Sequence, residues 1–385
     1  MVNASPHLYL RDVPAPRPRL AAERALSQAE AIRQHGLPPI LSLGHLAHLT
    51  GVPYWPLRNT VTRRRTSYTA LQKPRGESGE PRKLLAPDPD LMAAQKWILH
   101  SVLDRLPVHG NAFAYVRGRS VAGCAGRHLG ARWLIKLDLK DFFGSIGERD
   151  VHGVFKRAGY QPLAAFELAR LCTWDDRRHE LEPMRQDRYP KITAYQCGTG
   201  GYLPQGAPTS GALANLMVRP LDERLSRIAS GYGMVYTRYS DDMVFSSGDE
   251  FSRPDAVARL REFSHVVTAY GFRINSRKTR IVPPGARKAV LGLLVDGDAL
   301  RMSSEFRSRV LTHLRGIERF GLRAHQEHRG FASMDGLVNH VDGLLAYALG
   351  TDPDWARPVN DRWREVLAAQ GRLLPPTSEP VAEAG

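Results

Sequence analysis

The stretch that decides the fold reads YTRYSDDMVFSS and spans residues 236–247. Two runs of strand-forming residues flank the short polar sequence Ser240-Asp241-Asp242, and this pattern predicts a β-hairpin. Ser-Asp-Asp is an ordinary turn sequence, so turn chemistry alone can explain the two aspartates. Whether they also carry a function depends on the rest of the chain.

The overall charge of the chain narrows the class of partner. The 385 residues carry a formal net charge of +15, and the sequence pI is near 10.0. Such an excess points to a polyanion, which is a nucleic acid or a membrane surface. The sequence offers no apolar run of spanning length and no secretory leader, so we expect nucleic acid and no membrane.

The three cysteines, Cys124, Cys172 and Cys197, lie far apart. Their spacing matches neither a zinc site nor a disulfide framework, which favours the reducing cytoplasm.

Helical and strand patterns alternate through most of the chain, and the pattern is helical from residue 303 onward. The KPRGESGEPRKLL segment at 73–85 predicts two strands around a Gly-containing turn, and Asp296-Gly297-Asp298 predicts the turn of a last hairpin. Pro220 could kink the helix that contains it, and Phe142 is expected to pack in the core. We therefore predict an α+β catalytic body with a helical C-terminal appendage.

A third carboxylate belongs with the pair at the hairpin. Asp138 ends the apolar strand LIKLD at 134–138. If that strand neighbours the hairpin in one sheet, the three carboxylates converge, and such a cluster repels itself unless a hard cation such as Mg²⁺ neutralises it. Two such ions about 4 Å apart stabilise the attacking and leaving oxygens of phosphoryl transfer. The alternative for Asp138 alone is a cap at the strand end.

Six sequence segments occur in an order that resembles the reverse transcriptases. A fingers-like segment, KPRGESGEPRKLLAPDPDLMAAQKWIL, begins at residue 73. The palm-like motifs that follow are LIKLDLKDFFGSI (134–146), GGYLPQGAPTSGALANL (200–216), VYTRYSDDMVFSS (235–247) and GFRINSRKTRI (271–281), with KAVLGLLV (288–295) at the last palm strand. The resemblance runs from about residue 70 to 350.

This resemblance implies a right-hand polymerase with fingers, palm and thumb, an antiparallel palm sheet and a helical C-terminal thumb. The implied divisions are a helical extension at 1–56, fingers at 57–130, a palm at 131–300 that includes part of the fingers at 148–205, and a thumb with its tail at 301–385.

The resemblance also assigns roles to individual residues. Asp138, Asp241 and Asp242 would be catalytic and would hold two Mg²⁺ ions, or Mn²⁺ in their place, with help from the Leu139 carbonyl. The residues implied to bind the incoming deoxynucleoside triphosphate are Lys73, Arg82, Phe143, Gln205, Gly206 and Lys278.

Each nucleotide-site residue has a simpler explanation. Phe143 would crowd a ribose 2′-OH, but it could instead be a core aromatic at a helix start. Gly206 could simply be a turn glycine. Lys73 and Arg82 would grip the triphosphate, or bind nucleic-acid backbone in a very basic segment. Lys278 would lie near the leaving group as a general acid.

Nucleic-acid contacts are implied for the hairpin and the C-terminal helices. Tyr239 would support the hairpin and touch the primer. The segment 303–321 places Arg307, Arg309 and Arg315 opposite an apolar face. Its spacing predicts an amphipathic surface helix, and the resemblance makes it a thumb helix with its basic face on duplex phosphate.

Within the family, QGAPTS and RYSDD most resemble the bacterial retron enzymes. Three details depart from the retron pattern: Ser240 replaces an alanine, CAGRH at 124–128 replaces Asn-Ala-x-x-His, and Val290-Leu291-Gly292 replaces Val-Thr-Gly. The implied activity is RNA-directed DNA synthesis that copies a structured non-coding RNA into a small RNA-linked DNA, in anti-phage defence. The implied partners are an effector protein and host ribonuclease H. The alternatives are another defence-associated or mobile-element reverse transcriptase, and an RNA-binding scaffold without catalysis.

Overall fold

The computed structural model of the chain describes residues 19–64, 66–75, 79–175, 201–248 and 252–371. The helices are α1 (Arg19–Gln34), α2 (Leu43–Thr50), α3 (Tyr54–Val61), α4 (Pro89–Ser101), α5 (Val121–Gly126), α6 (Glu148–Arg157), α7 (Pro162–Cys172), α8 (Ser210–Gly231), α9 (Arg253–Ala269), α10 (Ser304–Phe320), α11 (Leu322–His328), α12 (Met334–Leu349) and α13 (Pro353–Ala369). The strands are β1 (Tyr68–Arg75), β2 (Gly79–Pro87), β3 (Trp133–Lys140), β4 (Trp174–Asp175), β5 (Gly201–Tyr202), β6 (Val235–Tyr239), β7 (Asp242–Ser247), β8 (Arg273–Ile274), β9 (Arg280–Val282), β10 (Ala289–Val290), β11 (Leu293–Leu294) and β12 (Arg301–Met302).

The chain folds into two compact units. The first contains the described residues within 1–119, 135–245 and 254–280, and the second those within 120–134, 246–253 and 281–385. The second unit therefore gathers three separated stretches, and it contains strands as well as the predicted C-terminal helices. The predicted division into extension, fingers, palm and thumb stays a prediction, because a division into two compact units does not distinguish fingers from palm.

The β-hairpin predicted for residues 236–247 is confirmed. Strands β6 and β7 are joined by a turn at Ser240 and Asp241, and Ser240 takes a left-handed conformation with φ of 59°. They belong to a five-stranded sheet with the order β6-β7-β3-β8, and the fifth strand, β9, also pairs with β3.

Strand β3 forms the centre of this sheet and is almost entirely buried. It runs antiparallel to β8, with Leu139 opposite Ile274. The amide of Leu139 donates to the carbonyl of Asp241 at 3.0 Å, and the amide of Arg132 donates to the carbonyl of Ser247 at 2.9 Å. These two bonds show that β3 also runs antiparallel to β7.

The basic segment before the sheet forms the predicted two-stranded hairpin. Strands β1 and β2 are antiparallel, and their register places Lys73 directly opposite Arg82. Further on, α8 continues as one helix through Pro220, where the sequence had suggested a kink.

In the second unit, helices α10 to α13 enclose an apolar core. Its buried members are Val310, Leu314, Ile317, Leu322, Leu337, Val338, Val341, Leu345, Trp363, Val366 and Leu367. Strands β10, β11 and β12 form a three-stranded antiparallel sheet. The connection between β11 and β12 contains the Asp296-Gly297-Asp298 turn that the sequence predicted.

Among the residues that the structure describes, no helix combines the length and the apolar character needed to cross a bilayer.

Candidate active site

Three aspartates lie at one end of the central sheet. Asp138 lies on β3, and Asp241 lies in the turn that leads into the neighbouring strand β7. The bond from the Leu139 amide to the Asp241 carbonyl fixes the two strands in this register. The structure therefore brings Asp138 to the hairpin tip, as the sheet argument predicted.

The electrostatics of Asp242 reflect this crowding. Burial raises the pKa of Asp242, and the negative charges of Asp241 and Asp138 raise it further, while Lys136 and Lys278 lower it. Like charges that disfavour each other's ionisation mark a place where a cation would be stabilised.

Asp138 is held by two side chains from the segment after β8. The Lys278 ammonium lies 2.8 Å from Asp138 Oδ2, and the Asn275 amide donates to Oδ1 at 2.9 Å. The Asn275 backbone amide also donates to the Asp138 carbonyl at 2.8 Å. Both oxygens of this buried carboxylate are therefore engaged, and Lys278 neutralises its charge.

The donor set fits a hard cation by its chemistry, because carboxylate oxygens are the ligands that Mg²⁺ prefers. The described residues contain no group of three or more His, Cys, Asp or Glu side chains already arranged around one ion position. In this structure the two carboxylate oxygens of Asp138 contact Lys278 and Asn275.

A buried ion pair lies beneath the hairpin turn. Arg238 on β6 and Asp222 on α8 are both fully buried, and they form two hydrogen bonds of 2.8 and 2.7 Å. Arg238 also donates to the Ser240 carbonyl at 3.2 Å, and the Tyr236 hydroxyl donates to Asp222 at 2.7 Å. Burial alone would lower the pKa of Arg238, but Asp222 raises it above its ordinary value. The pair thus supports the turn from below, and losing one partner would leave an uncompensated buried charge.

Two aromatic rings stand beside the carboxylates. Phe143 is half-buried in the turn that leaves β3, and its ring meets the Tyr115 ring edge-on at a centroid distance of 6.0 Å. The adjacent Phe142 is buried against Phe272, as the sequence predicted for a core position. Phe143 is therefore partly exposed, and its contact with the sugar of a nucleotide stays a prediction.

The Gln205-Gly206 loop docks on the β1–β2 hairpin. The Leu85 amide on β2 donates to the Gln205 carbonyl at 2.7 Å. Gly206 has φ of 115°, and a Cβ there would lie 3.1 Å from the Leu85 carbonyl oxygen. Glycine is required at this position both for its backbone conformation and for the close approach of β2. The loop thus stands beside the strand that carries Arg82.

Comparison with known protein families identifies the class of enzyme to which this site belongs. The family model described as reverse transcriptase (RNA-dependent DNA polymerase) matches residues 71–293, more than half of the chain. The chain belongs to the reverse transcriptase family. Its activity is RNA-directed DNA polymerisation, and its fold class is the right-hand polymerase.

The known relatives of this enzyme show that it is a retron-type reverse transcriptase. It is 34% identical over 341 residues to the retron Mx162 reverse transcriptase of Myxococcus xanthus, covering 84% of this chain and 67% of the relative. It is 35% identical over 338 residues to the retron Mx65 reverse transcriptase of the same organism, covering 86% and 73%. It is also 28% identical over 325 residues to the retron Ec86 reverse transcriptase of Escherichia coli, covering 83% and 88%.

The arginines of α10 in this reverse transcriptase differ in their surroundings. Arg307 forms an ion pair of 2.7 Å with the buried Asp352 and lies over the Trp355 ring. Arg309 and Arg315 are exposed. The basic face predicted for phosphate contact therefore contains two exposed arginines and one that is already paired.

Two further predicted contacts stay predictions. Tyr239 is the half-buried last residue of β6, next to the turn. Lys73 and Arg82 face each other across the β1–β2 register, and their side chains lie outside the described part of the structure.

Sequence reasoning missed several residues of the site. Asn275 lies within the quoted GFRINSRKTRI motif, three residues before Lys278, and this short spacing was the available signal. Arg238 is a charged residue inside an apolar strand, which signals a buried partner, but nothing local identifies Asp222. Tyr115 lies in the NAFAYVRGRS segment at 111–120, outside all of the quoted motifs.

Proposed function

We propose that this reverse transcriptase copies a structured non-coding RNA into a small DNA that stays linked to RNA, and that it acts in anti-phage defence. The observation that carries the proposal is the meeting of Asp138, Asp241 and Asp242 at one sheet end in a strongly basic chain whose relatives are retron enzymes. We place it in the cytoplasm with an effector protein and host ribonuclease H as partners.

Asp138, Asp241 and Asp242, together with the Leu139 carbonyl, would hold two Mg²⁺ ions, and Mn²⁺ is the alternative. When bound, such ions stabilise the attacking hydroxyl and the leaving pyrophosphate oxygens. The protein's own contribution is to hold these carboxylates at a fixed sheet end, with the buried Arg238–Asp222 pair beneath the turn.

The incoming deoxynucleoside triphosphate would be bound from two sides. Lys73 and Arg82, opposite each other on β1 and β2, would clamp the phosphates. The Gln205-Gly206 loop, which bonds to β2 through Leu85, would lie under the nucleotide. Because loop and hairpin share a backbone hydrogen bond, they would move as one support for the nucleotide.

Lys278 would deliver a proton to the leaving group. Its side chain is about half exposed, and its ammonium lies 2.8 Å from Asp138. A lysine beside a carboxylate of the site can exchange between pairing with that carboxylate and donating to a nearby oxygen. This makes Lys278 a candidate general acid within reach of the reacting atoms.

The template–primer would lie along the exposed basic face of α10, with Tyr239 near the primer. RNA-containing duplexes are recognised mainly through phosphates, 2′-OH groups and shape, because their major groove is deep and narrow. The exposed Arg309 and Arg315 suit phosphate contact, whereas Arg307 is held by Asp352.

We therefore expect Arg309→Gln combined with Arg315→Gln to reduce the salt dependence of RNA binding. Two lost phosphate contacts should lower the slope of log affinity against log salt by roughly 1.4 to 1.8. The measurement is the RNA dissociation constant over a series of salt concentrations.

The matched control replaces two arginines that lie on other helices, Arg219 and Arg323, which pair with Glu223 and Glu327. Arg219→Gln with Arg323→Gln removes the same charge and should leave the slope close to that of the parent enzyme. Equal slopes for the two double variants would contradict the placement of the duplex on α10.

The proposed function as a whole is tested by the nucleic acid that the enzyme carries. We expect nucleic acid extracted from the purified protein to contain a short DNA that remains attached to RNA and shortens on ribonuclease treatment. The same preparation from the Asp241→Asn variant should contain the RNA without DNA. DNA with no RNA linkage would instead favour another defence or mobile-element enzyme.

A further inference from the structure

Tyr115 touches three separate parts of the polymerase site. Its hydroxyl lies 3.1 Å from the Ser240 hydroxyl in the hairpin turn. Its ring meets the Phe143 ring edge-on. A Cβ at Gly211, near the start of α8, would overlap the Tyr115 ring, so glycine leaves the space in which the ring sits.

We propose that Tyr115 is a positioning residue of the polymerase site. Its hydroxyl holds the Ser240 turn that presents Asp241, and its ring holds Phe143 beside the sugar of the incoming nucleotide. The inference rests on the roles proposed above for Asp241 and Phe143.

The backbone supports this role. Tyr115 has φ of 60° and Ser240 has φ of 59°. Non-glycine residues seldom adopt this left-handed conformation, and they keep it where the surrounding contacts determine it. Here two such residues are joined to each other through their side chains, so each fixes the other.

The exposure of Tyr115 separates it from an ordinary packing residue. Its side chain makes contacts with Ser240, Phe143 and Gly211, and yet the residue is 54% exposed. An aromatic residue that served only the core would be buried. The contacts of Tyr115 with Phe143 and with the hairpin turn place it next to the proposed nucleotide site.

The hydroxyl pair also gives a reason for the serine in this motif. The family pattern has alanine at the position of Ser240, and alanine could not bond to Tyr115. In this chain the serine supplies a hydrogen-bond partner at the turn, so the turn and the Tyr115 loop are coupled by a contact that alanine would remove.

The hydroxyl contact is tested by a double-mutant cycle with Tyr115→Phe and Ser240→Ala. Each single variant should lower the rate of deoxynucleotide incorporation by about 2- to 12-fold, the usual contribution of one hydrogen bond. The double variant should be no slower than the slower single variant, because the same bond is lost once. Losses that multiply, or no loss in either single variant, would overturn this part of the proposal.

The ring contact is tested by the ratio of deoxynucleotide to ribonucleotide incorporation. Tyr115→Phe keeps the ring and should keep the ratio, whereas Tyr115→Leu should lower it by about 2- to 12-fold. Gly211→Ala, which displaces the ring without removing it, should lower the ratio in the same direction. The control is Tyr232→Leu, since the Tyr232 ring contacts Arg259 instead, and thermal unfolding shows that each variant is folded.

The outcomes separate this inference from the proposed function. If Phe143→Ala changes the ratio while folded Tyr115→Leu and Gly211→Ala leave it unchanged, the ring role of Tyr115 is wrong and the role of Phe143 stands. If Phe143→Ala also leaves the ratio unchanged, Phe143 does not exclude the ribose 2′-OH. The proposed role of the Tyr115 ring, which depends on that exclusion, is then wrong as well.

Discussion

DNA synthesis on an RNA template is expected to fall by at least about a hundredfold in the Asp241→Asn variant, a loss of roughly 2.7 kcal/mol of transition-state stabilisation. Asparagine keeps the shape of the side chain and suits a turn, but it removes a charge that would bind metal. The backbone bond from Leu139 to the carbonyl of residue 241 does not depend on the side chain. The measurement is primer extension with purified enzyme at saturating nucleotide.

Folding and RNA binding provide the internal controls for this variant. Both should stay close to those of the parent enzyme, because the substitution leaves the turn and the basic surfaces intact. Asp141→Asn is a matched carboxylate change three residues from Asp138, on a side chain that is 61% exposed and 4.0 Å from Arg273, and it should retain activity. Asp241→Asn activity above about one hundredth of the parent value would contradict the metal-binding role.

Phe143→Ala is expected to admit ribonucleotides. Phe143 stands five residues beyond Asp138 and is only half-buried, so its ring is available to the sugar of a bound nucleotide. A ribose 2′-OH overlapping the ring would cost on the order of 1–3 kcal/mol, which is about 5- to 150-fold in relative rate. The measurement is the ratio of deoxynucleotide to ribonucleotide incorporation efficiency on one RNA template.

The conservative variant Phe143→Tyr keeps a ring at the same place and should keep the discrimination. Phe143→Ala should also slow deoxynucleotide incorporation modestly, because the ring would pack against the deoxyribose of the correct nucleotide. An unchanged ratio in a folded Phe143→Ala enzyme would show that the ring only packs against Tyr115 and Phe142.

Local signals in the sequence predicted the parts of the fold that local contacts determine. The β6–β7 hairpin follows from strand-formers on both sides of a polar turn, and the β1–β2 hairpin follows from a Gly-containing turn. The placement of Asp138 beside the turn needed one further assumption, that two strands neighbour each other, which the motif order supplied.

The contacts that the sequence did not predict join distant positions. Tyr115 and Ser240 are 125 residues apart, and Asp138 and Asn275 are 137 apart. A single sequence carries no periodicity that links such pairs. The same limit applies to Arg307, whose position on an amphipathic helix predicted a solvent-facing cation, whereas its partner Asp352 follows 45 residues later.

The second compact unit sets an order of events during protein synthesis. Its first stretch, residues 120–134, leaves the ribosome long before residues 281–385, which supply its neighbours: α5 packs on β11, and the Gly130 amide donates to the Gly297 carbonyl at 3.2 Å. Contacts between stretches so far apart in sequence form slowly, and residues 120–134 expose apolar surface until residues 281–385 have been synthesised. Shortened chains that end near residue 280 should therefore aggregate, because their α5 segment can never be covered.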